Sequence, residues 1–209
     1  MPNAVDHALR ISELVAARFA HELVGAAGAI ANGLELMEEL GEDAGPDAAQ
    51  LVNRSAGNLK ARLQFYRMAY GRAGRESAGL PELRALTVGF FDHVDGVTLD
   101  WPMAPVVPTL EGGEGKLILN LAALAADALP RGGTVRIALD DERFEARASG
   151  QDARLRDDLA AALTAEAAAE ELSPRTVHAH LTAVLAADAG RRLTLERLDE
   201  NALALCAVR

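Results

Sequence analysis

The stretch FAHELVGAAGAIANGLELMEEL, residues 19–40, decides the fold: it consists largely of good helix formers, yet Gly25, Gly28 and Gly33 interrupt its apolar repeat. Glycine inside a helix costs roughly 1 kcal/mol against alanine, so three of them call for a reason. Outward from this stretch, Leu9, Ala16, Leu23, Ile30 and Met37 recur every seven residues, with Ala20, Ala27 and Leu34 between them. The repeat predicts one helix from about Asp6 to Leu40 that packs lengthwise against others. GEDAGPD, residues 41–47, supplies turn residues, and Pro46-Asp47 suits the start of a second helix. Leu51, Val52, Leu59, Leu63, Phe65, Met68 and Tyr70 continue the apolar pattern up to GRAGRESAG. Residues 1–75 therefore read as an antiparallel helical hairpin turning near residue 44. Two long helices leave too much apolar surface uncovered to stand alone. A second copy, related by a twofold axis, would complete a dimeric four-helix bundle.

From Leu80 the period changes, and residues 76–209 read as a second domain. PELRALTVGFFDHV looks helical, VTLDW extended and EGKLILNLAALAADALP a buried helix. GGTVRIALDDERFEARAS looks like two strands around an Asp140-Asp141-Glu142 turn. DARLRDDLAAALTAEA and SPRTVHAHLTAVLAADAG are expected as helices, the latter capped by Ser173 with Pro174 at its first position. RRLTLERLDENALALCAVR closes as a hairpin turning at Asp199-Glu200-Asn201. The expected fold class is α+β, with a mixed sheet covered by helices on one face.

Composition narrows the function. Half of the 209 residues are hydrophobic, only 4% are aromatic, and the net charge is -10. Disorder is excluded by the first figure, and an alanine-rich, aromatic-poor chain suits close helix packing. An acidic chain whose only lysines are Lys60 and Lys116 is a poor match for nucleic acid or an anionic membrane surface. Cys206 is the single cysteine, so no internal disulfide can form. No run of about 18 apolar residues and no leader-like start is evident, so the expectation is a cytoplasmic protein with no membrane partner.

Of five histidines, only His21 combines a long helix, an adjacent carboxylate and small residues along its own face. Gly25 at i+4 and Gly28 at i+7 share its stripe, with Arg18 at i-3, so the imidazole should stand on a face cleared of bulk. Another protein can approach such a face closely. A neutral imidazole is a nucleophile near neutral pH, and Glu22 is placed to hold one ring nitrogen while the other attacks. Arg67 falls opposite His21 if the hairpin turns near residue 44, which would put a cation near the imidazole. The competing account is a solvated His-Glu pair with glycines serving tight helix packing.

AHELVGAAGAIANGLELMEEL, residues 20–40, followed by LQFYRMAYG, residues 63–71, resembles the hairpin of the ChpT-like histidine phosphotransferases of alphaproteobacteria. VTLDW and LILNLAALAADALPRGGTV look like that family's second domain, so the similarity covers nearly the whole chain. The resemblance implies a homodimeric phosphorelay intermediate. His21 would take a phosphoryl group from a receiver domain of a hybrid histidine kinase and pass it to the receivers of response regulators. No cofactor is implied for this chain, magnesium being supplied by the receiver. Related motifs often carry proline five residues after the histidine, where this chain has Ala26; without it the helix below His21 should run straighter.

The second domain also resembles the ATP-binding domain of sensor histidine kinases, in a degenerate form of that α/β sandwich. With Asn120 at the first position of an Asn-x-x-x-Asn pattern, Leu124 stands where the metal-binding asparagine belongs. ASGQDARL offers Ser149 and Gly150 but lacks the Asp-x-Gly-x-Gly that would hold adenine, and His178 and His180 stand where a glycine phosphate loop is expected. Bulky side chains there block backbone approach to phosphates. Residues 178 and 180 point in different directions on a helix, so no metal site is expected. Asp127 and the cluster at Asp140, Asp141 and Glu142 read as solvated charges. The alternatives are a dimeric scaffold that docks response regulators without chemistry, and an ATP-dependent histidine kinase with unusual motifs.

Overall fold

The computed structural model describes residues 4–41, 45–71, 79–102 and 108–209. Two long helices, α1 (Ala4–Leu40) and α2 (Gly45–Ala69), run antiparallel as a hairpin. The expected turn near residue 44 and the boundary near residue 75 lie outside the described residues. Gly33 explains one of the three glycines, because a Cβ there would stand 2.6 Å from Val52 Cγ2 on α2. It lets the two backbones approach.

The hairpin covers one stripe of each helix and leaves another bare. Val15, Phe19 and Leu23 of α1 line an open cleft with Leu63 and Tyr66 of α2 and with Tyr70 just after it. Leu9, Leu34 and Leu63 are 59%, 48% and 49% exposed. The expectation that no apolar span is present needs correction: α1 is long and apolar enough to cross a membrane by length and composition, with a mean hydropathy of 1.3 in an 18-residue window. The window test counts apolar residues all round the helix and ignores what they pack against. Here Arg18 and Glu22, in the middle of α1, are ion-paired to Asp127 and Arg62 of other elements. The helix lies along protein.

The second unit contains α3 (Leu80–Phe91), β1 (Val97–Asp100), α4 (Glu114–Asp127), β2 (Gly133–Leu139) and β3 (Arg143–Ser149), then α5 (Asp157–Ala161), α6 (Val177–Asp188), β4 (Arg192–Asp199) and β5 (Ala202–Val208). The five strands form one mixed sheet in the order β1-β2-β3-β5-β4, with β1 parallel to β2 and every other pair antiparallel. Val135 and Ile137 of β2 and Phe144, Ala146 and Ala148 of β3 alternate into the core against Leu117, Leu121 and Leu124 of α4. The outer face carries charge: Arg143 binds Glu145 at 2.8 Å and Glu196 at 2.9 Å above the small residue Cys206. A buried pair, Arg191 Nε to Glu114 Oε1 at 2.8 Å, ties the start of α4 to the end of the sheet, with the guanidinium 3.7 Å from the centre of the Phe144 ring.

Two expected elements differ. The helix expected over DARLRDDLAAALTAEA shrinks to the five residues of α5; Ala153, Leu155, Leu159 and Ala162 reach the core, and only Leu159 of these lies within the helix. α6 starts at Val177, not at Pro174. Ser173 instead closes a turn, its carbonyl accepting from the Thr176 and Val177 amides at 3.1 and 2.9 Å.

The hairpin is joined to this unit by packing and by hydrogen bonds. Phe65 of α2 stacks on Phe90 of α3 at 4.3 Å, and buried Asn120 of α4 donates to Ala69 O at 3.1 Å and to Lys116 O at 2.8 Å.

Candidate functional site

His21 stands exposed on α1, on the side away from α2. Phe19 and Leu23 face Tyr66 and Tyr70, and a residue two positions from Phe19 is rotated by about 200°. A Cβ added at Gly25 or Gly28 would meet nothing within 4 Å, so these glycines open a bare face beside the imidazole whereas Gly33 serves the helix contact. Val24, 68% exposed one turn from His21, adds an apolar contact to the same surface.

The Glu22 carboxylate has other partners than His21. Its Oε1 accepts from Arg18 Nε at 2.9 Å, and its Oε2 accepts from Arg62 Nη1 at 3.2 Å and from the Tyr66 hydroxyl. The expected Glu22–imidazole hydrogen bond is thus corrected: consecutive helix residues point about 100° apart, and Glu22 turns toward α2. Glu22 is a cross-hairpin anchor beneath the histidine.

Arg18 is equally occupied. Its Nη2 donates to Asp127 Oδ2 at 3.2 Å and its Nη1 to the Arg175 carbonyl at 3.2 Å, besides the bond to Glu22. Arg67, expected opposite His21, lines the apolar cleft with Val15, Phe19 and Leu23. The arginine that α2 brings to the histidine's neighbour is Arg62, held by Asn58 Oδ1 at 2.7 Å. Sequence reasoning missed it because residues 62 and 67 differ by about 140° around a helix, an angle that needs the packing of α2 to be interpreted.

The second unit completes the site. His21, Arg18 and Glu22 share a cleft of about 410 Å³ with Asp158, Ser173, Pro174 and Arg175. Asp127, expected as a solvated charge, sits at the end of α4 against Arg18, and His178 Nδ1 is 3.7 Å from the same Asp127 oxygen. Burial holds His178 below its ordinary value, so the ring is neutral near pH 7. For Asp127, burial pushes the carboxyl up, but His178 and the Arg18 charge together outweigh it and the net shift is downward. His180 diverges from His178 and places Nδ1 2.8 Å from Thr164 O.

The residues compared above with a kinase nucleotide site are taken up by the protein's own packing. Leu124 and His178 are buried, and the Asn120 amide group is spent on two backbone carbonyls. What this arrangement offers chemically is an accessible imidazole on a cleared helical face, underpinned by an Arg18–Glu22–Arg62 ion network.

Residues 80–201 match the family model for the histidine phosphotransferase C-terminal domain. The chain is 32% identical over 202 residues to protein phosphotransferase ChpT of Brucella abortus (strain 2308), covering 93% of each sequence. A 1.7 Å structure of a bacterial phosphotransferase is similar with a TM-score of 0.81 and 30% identity, over 99% of this chain and 98% of that one.

Proposed function

We propose, from the premise that this chain belongs to the ChpT-like histidine phosphotransferase family, that His21 is the residue that carries the phosphoryl group between receiver-domain aspartates. The observation that carries the reading is the open face at Gly25 and Gly28 beside an exposed imidazole. A receiver must bring its phospho-aspartate within bonding distance of a ring nitrogen, and the missing side chains at positions 25 and 28 leave room for that approach.

In the first transfer a ring nitrogen of His21 attacks phosphorus. The N–P bond forms as the acyl P–O bond breaks, the receiver's carboxylate leaves with the electron pair, and the ring loses the proton from its other nitrogen to solvent. In the second, a carboxylate oxygen of another receiver attacks the same phosphorus and the imidazole leaves, taking back a proton. The receiver supplies magnesium to neutralise charge on the group in flight. Arg18 and Glu22 hold the helix beneath the histidine. The working unit is a homodimer, supported by the bare stripe through Leu9, Leu34 and Leu63, and the proposed location is the cytoplasm, away from membrane and nucleic acid.

The test is to mix the purified protein with a phosphorylated receiver domain, and separately with labelled ATP. Label should move to the wild-type chain from the receiver alone, as an acid-labile phosphohistidine, and not to His21→Ala. Binding of the receiver without transfer would make the chain a docking scaffold, and labelling from ATP would make it a kinase.

A further inference from the structure

The second unit has lost the features that would make it a nucleotide site, yet two of its side chains approach the His21 helix. Asp127 accepts a hydrogen bond from Arg18 Nη2 at 3.2 Å. His178, 1% exposed, stands 3.7 Å from the same oxygen. The Arg18 side chain that Asp127 holds is itself only 17% exposed and reaches Glu22 at 2.9 Å one turn along the helix, next to His21.

We propose that Asp127 is a positioning residue for transfer at His21: acting through Arg18, it holds the His21–Glu22 turn of α1 in register against the second unit. The inference rests on the phosphotransfer reading of His21. Arg18 has three nitrogens and all three are engaged, by Glu22, by Asp127 and by the Arg175 carbonyl. Asp127 is the only side chain among the described residues that the second unit contributes to that set. Without it, the guanidinium keeps one anionic partner, on its own helix, and reaches the second unit only through the Arg175 carbonyl. A planar, multiply hydrogen-bonded arginine transmits orientation in a way a lone point charge does not. The retained role of this domain is then to brace the phosphoryl-carrying helix.

The experiment measures single-turnover transfer from a phosphorylated receiver over a range of receiver concentrations for the full-length wild type, Asp127→Asn, Asp127→Glu, Arg18→Gln and the Asp127→Asn/Arg18→Gln double variant. Because the effect is on geometry, Asp127→Asn should lower the maximal rate roughly 10-fold while the half-saturating receiver concentration stays nearly constant. Asp127→Glu should recover part of the rate. In the double variant the loss should be no greater than that of the worse single variant, since both act through one contact. Amide hydrogen exchange between Ala17 and Gly25 should quicken in Asp127→Asn. An unimpaired maximal rate in Asp127→Asn, or losses that multiply in the double variant, overturns the positioning role while leaving His21 as carrier. A wild-type chain that accepts no phosphoryl group overturns the carrier reading itself.

Discussion

Arg62 of α2 lies 3.2 Å from Glu22 of α1, so the carboxylate next to His21 is bound across the hairpin and not to the imidazole. Tyr66 and Arg18 saturate it further. In the proposed reading His21 carries the phosphoryl group and Glu22 anchors the helix beneath it, and variants of the pair should separate along that line.

Glu22→Ala leaves Arg18 and Arg62, which are 17% and 21% exposed, without their shared anion. It should destabilise the fold by roughly 1–3 kcal/mol, the usual cost of a partner removed from charged groups. Urea unfolding of the two proteins checks this. Equal midpoints would show that the network contributes nothing.

The glycines should divide into two classes. Gly25→Ala and Gly28→Ala have open space and should raise stability by up to about 1 kcal/mol, while Gly33→Ala, pressed against Val52, should lower it by about 1–3 kcal/mol. Gly25→Leu and Gly28→Leu should keep the dimer and slow phosphotransfer. Thermal melts and transfer assays on the same preparations decide it; loss of the dimer with transfer per folded dimer unchanged would return both glycines to helix packing alone.

The bare stripe of the hairpin predicts a dimer whose mass by light scattering is twice 22.0 kDa. Leu34→Asp and Leu63→Asp place charges on exposed apolar positions and should dissociate it at micromolar concentration. A monomeric wild type would remove the bundle.

Acid should loosen the junction between hairpin and second unit. His178 lies below its ordinary value of 6.5 because burial disfavours its charged form, so the unfolded chain binds its proton first as pH drops. The stability it contributes is complete above pH 6.5 and declines as pH falls toward the folded value; Asp127, also shifted down, loses its share from 3.8 downward. Unfolding free energy should fall below pH 6.5 more steeply in the wild type than in His178→Gln. Parallel curves would show that His178 takes no part.

Calorimetric titration with magnesium and ATP should show no saturable binding at millimolar nucleotide. Asn120 donates to Ala69 O and Lys116 O, and reclaiming it for a ligand would break the contact between α2 and α4.

Much of this molecule was legible in one dimension. A seven-residue apolar repeat specifies a helix and its stripe, alternation in VRIAL and RFEARA specifies half-buried strands, and glycines on the stripe of a histidine specify an open face, because each depends on the fixed 3.6- and 2-residue periods of the backbone. The short α5 was misjudged for the same reason: DARLRDDLAAALTAEA has helical composition, but helix length is set by how much of it the core can receive. The partners of Glu22 and Arg18 lie 40 and 109 residues away, at Arg62 and Asp127. Spacing could not say that α2 turns Arg67 into the apolar cleft while presenting Arg62 to Glu22. Local sequence determines where a side chain sits along and around its own helix. Only the packing of one helix on another, fixed by Gly33 against Val52 and Phe65 against Phe90, decides which charges meet.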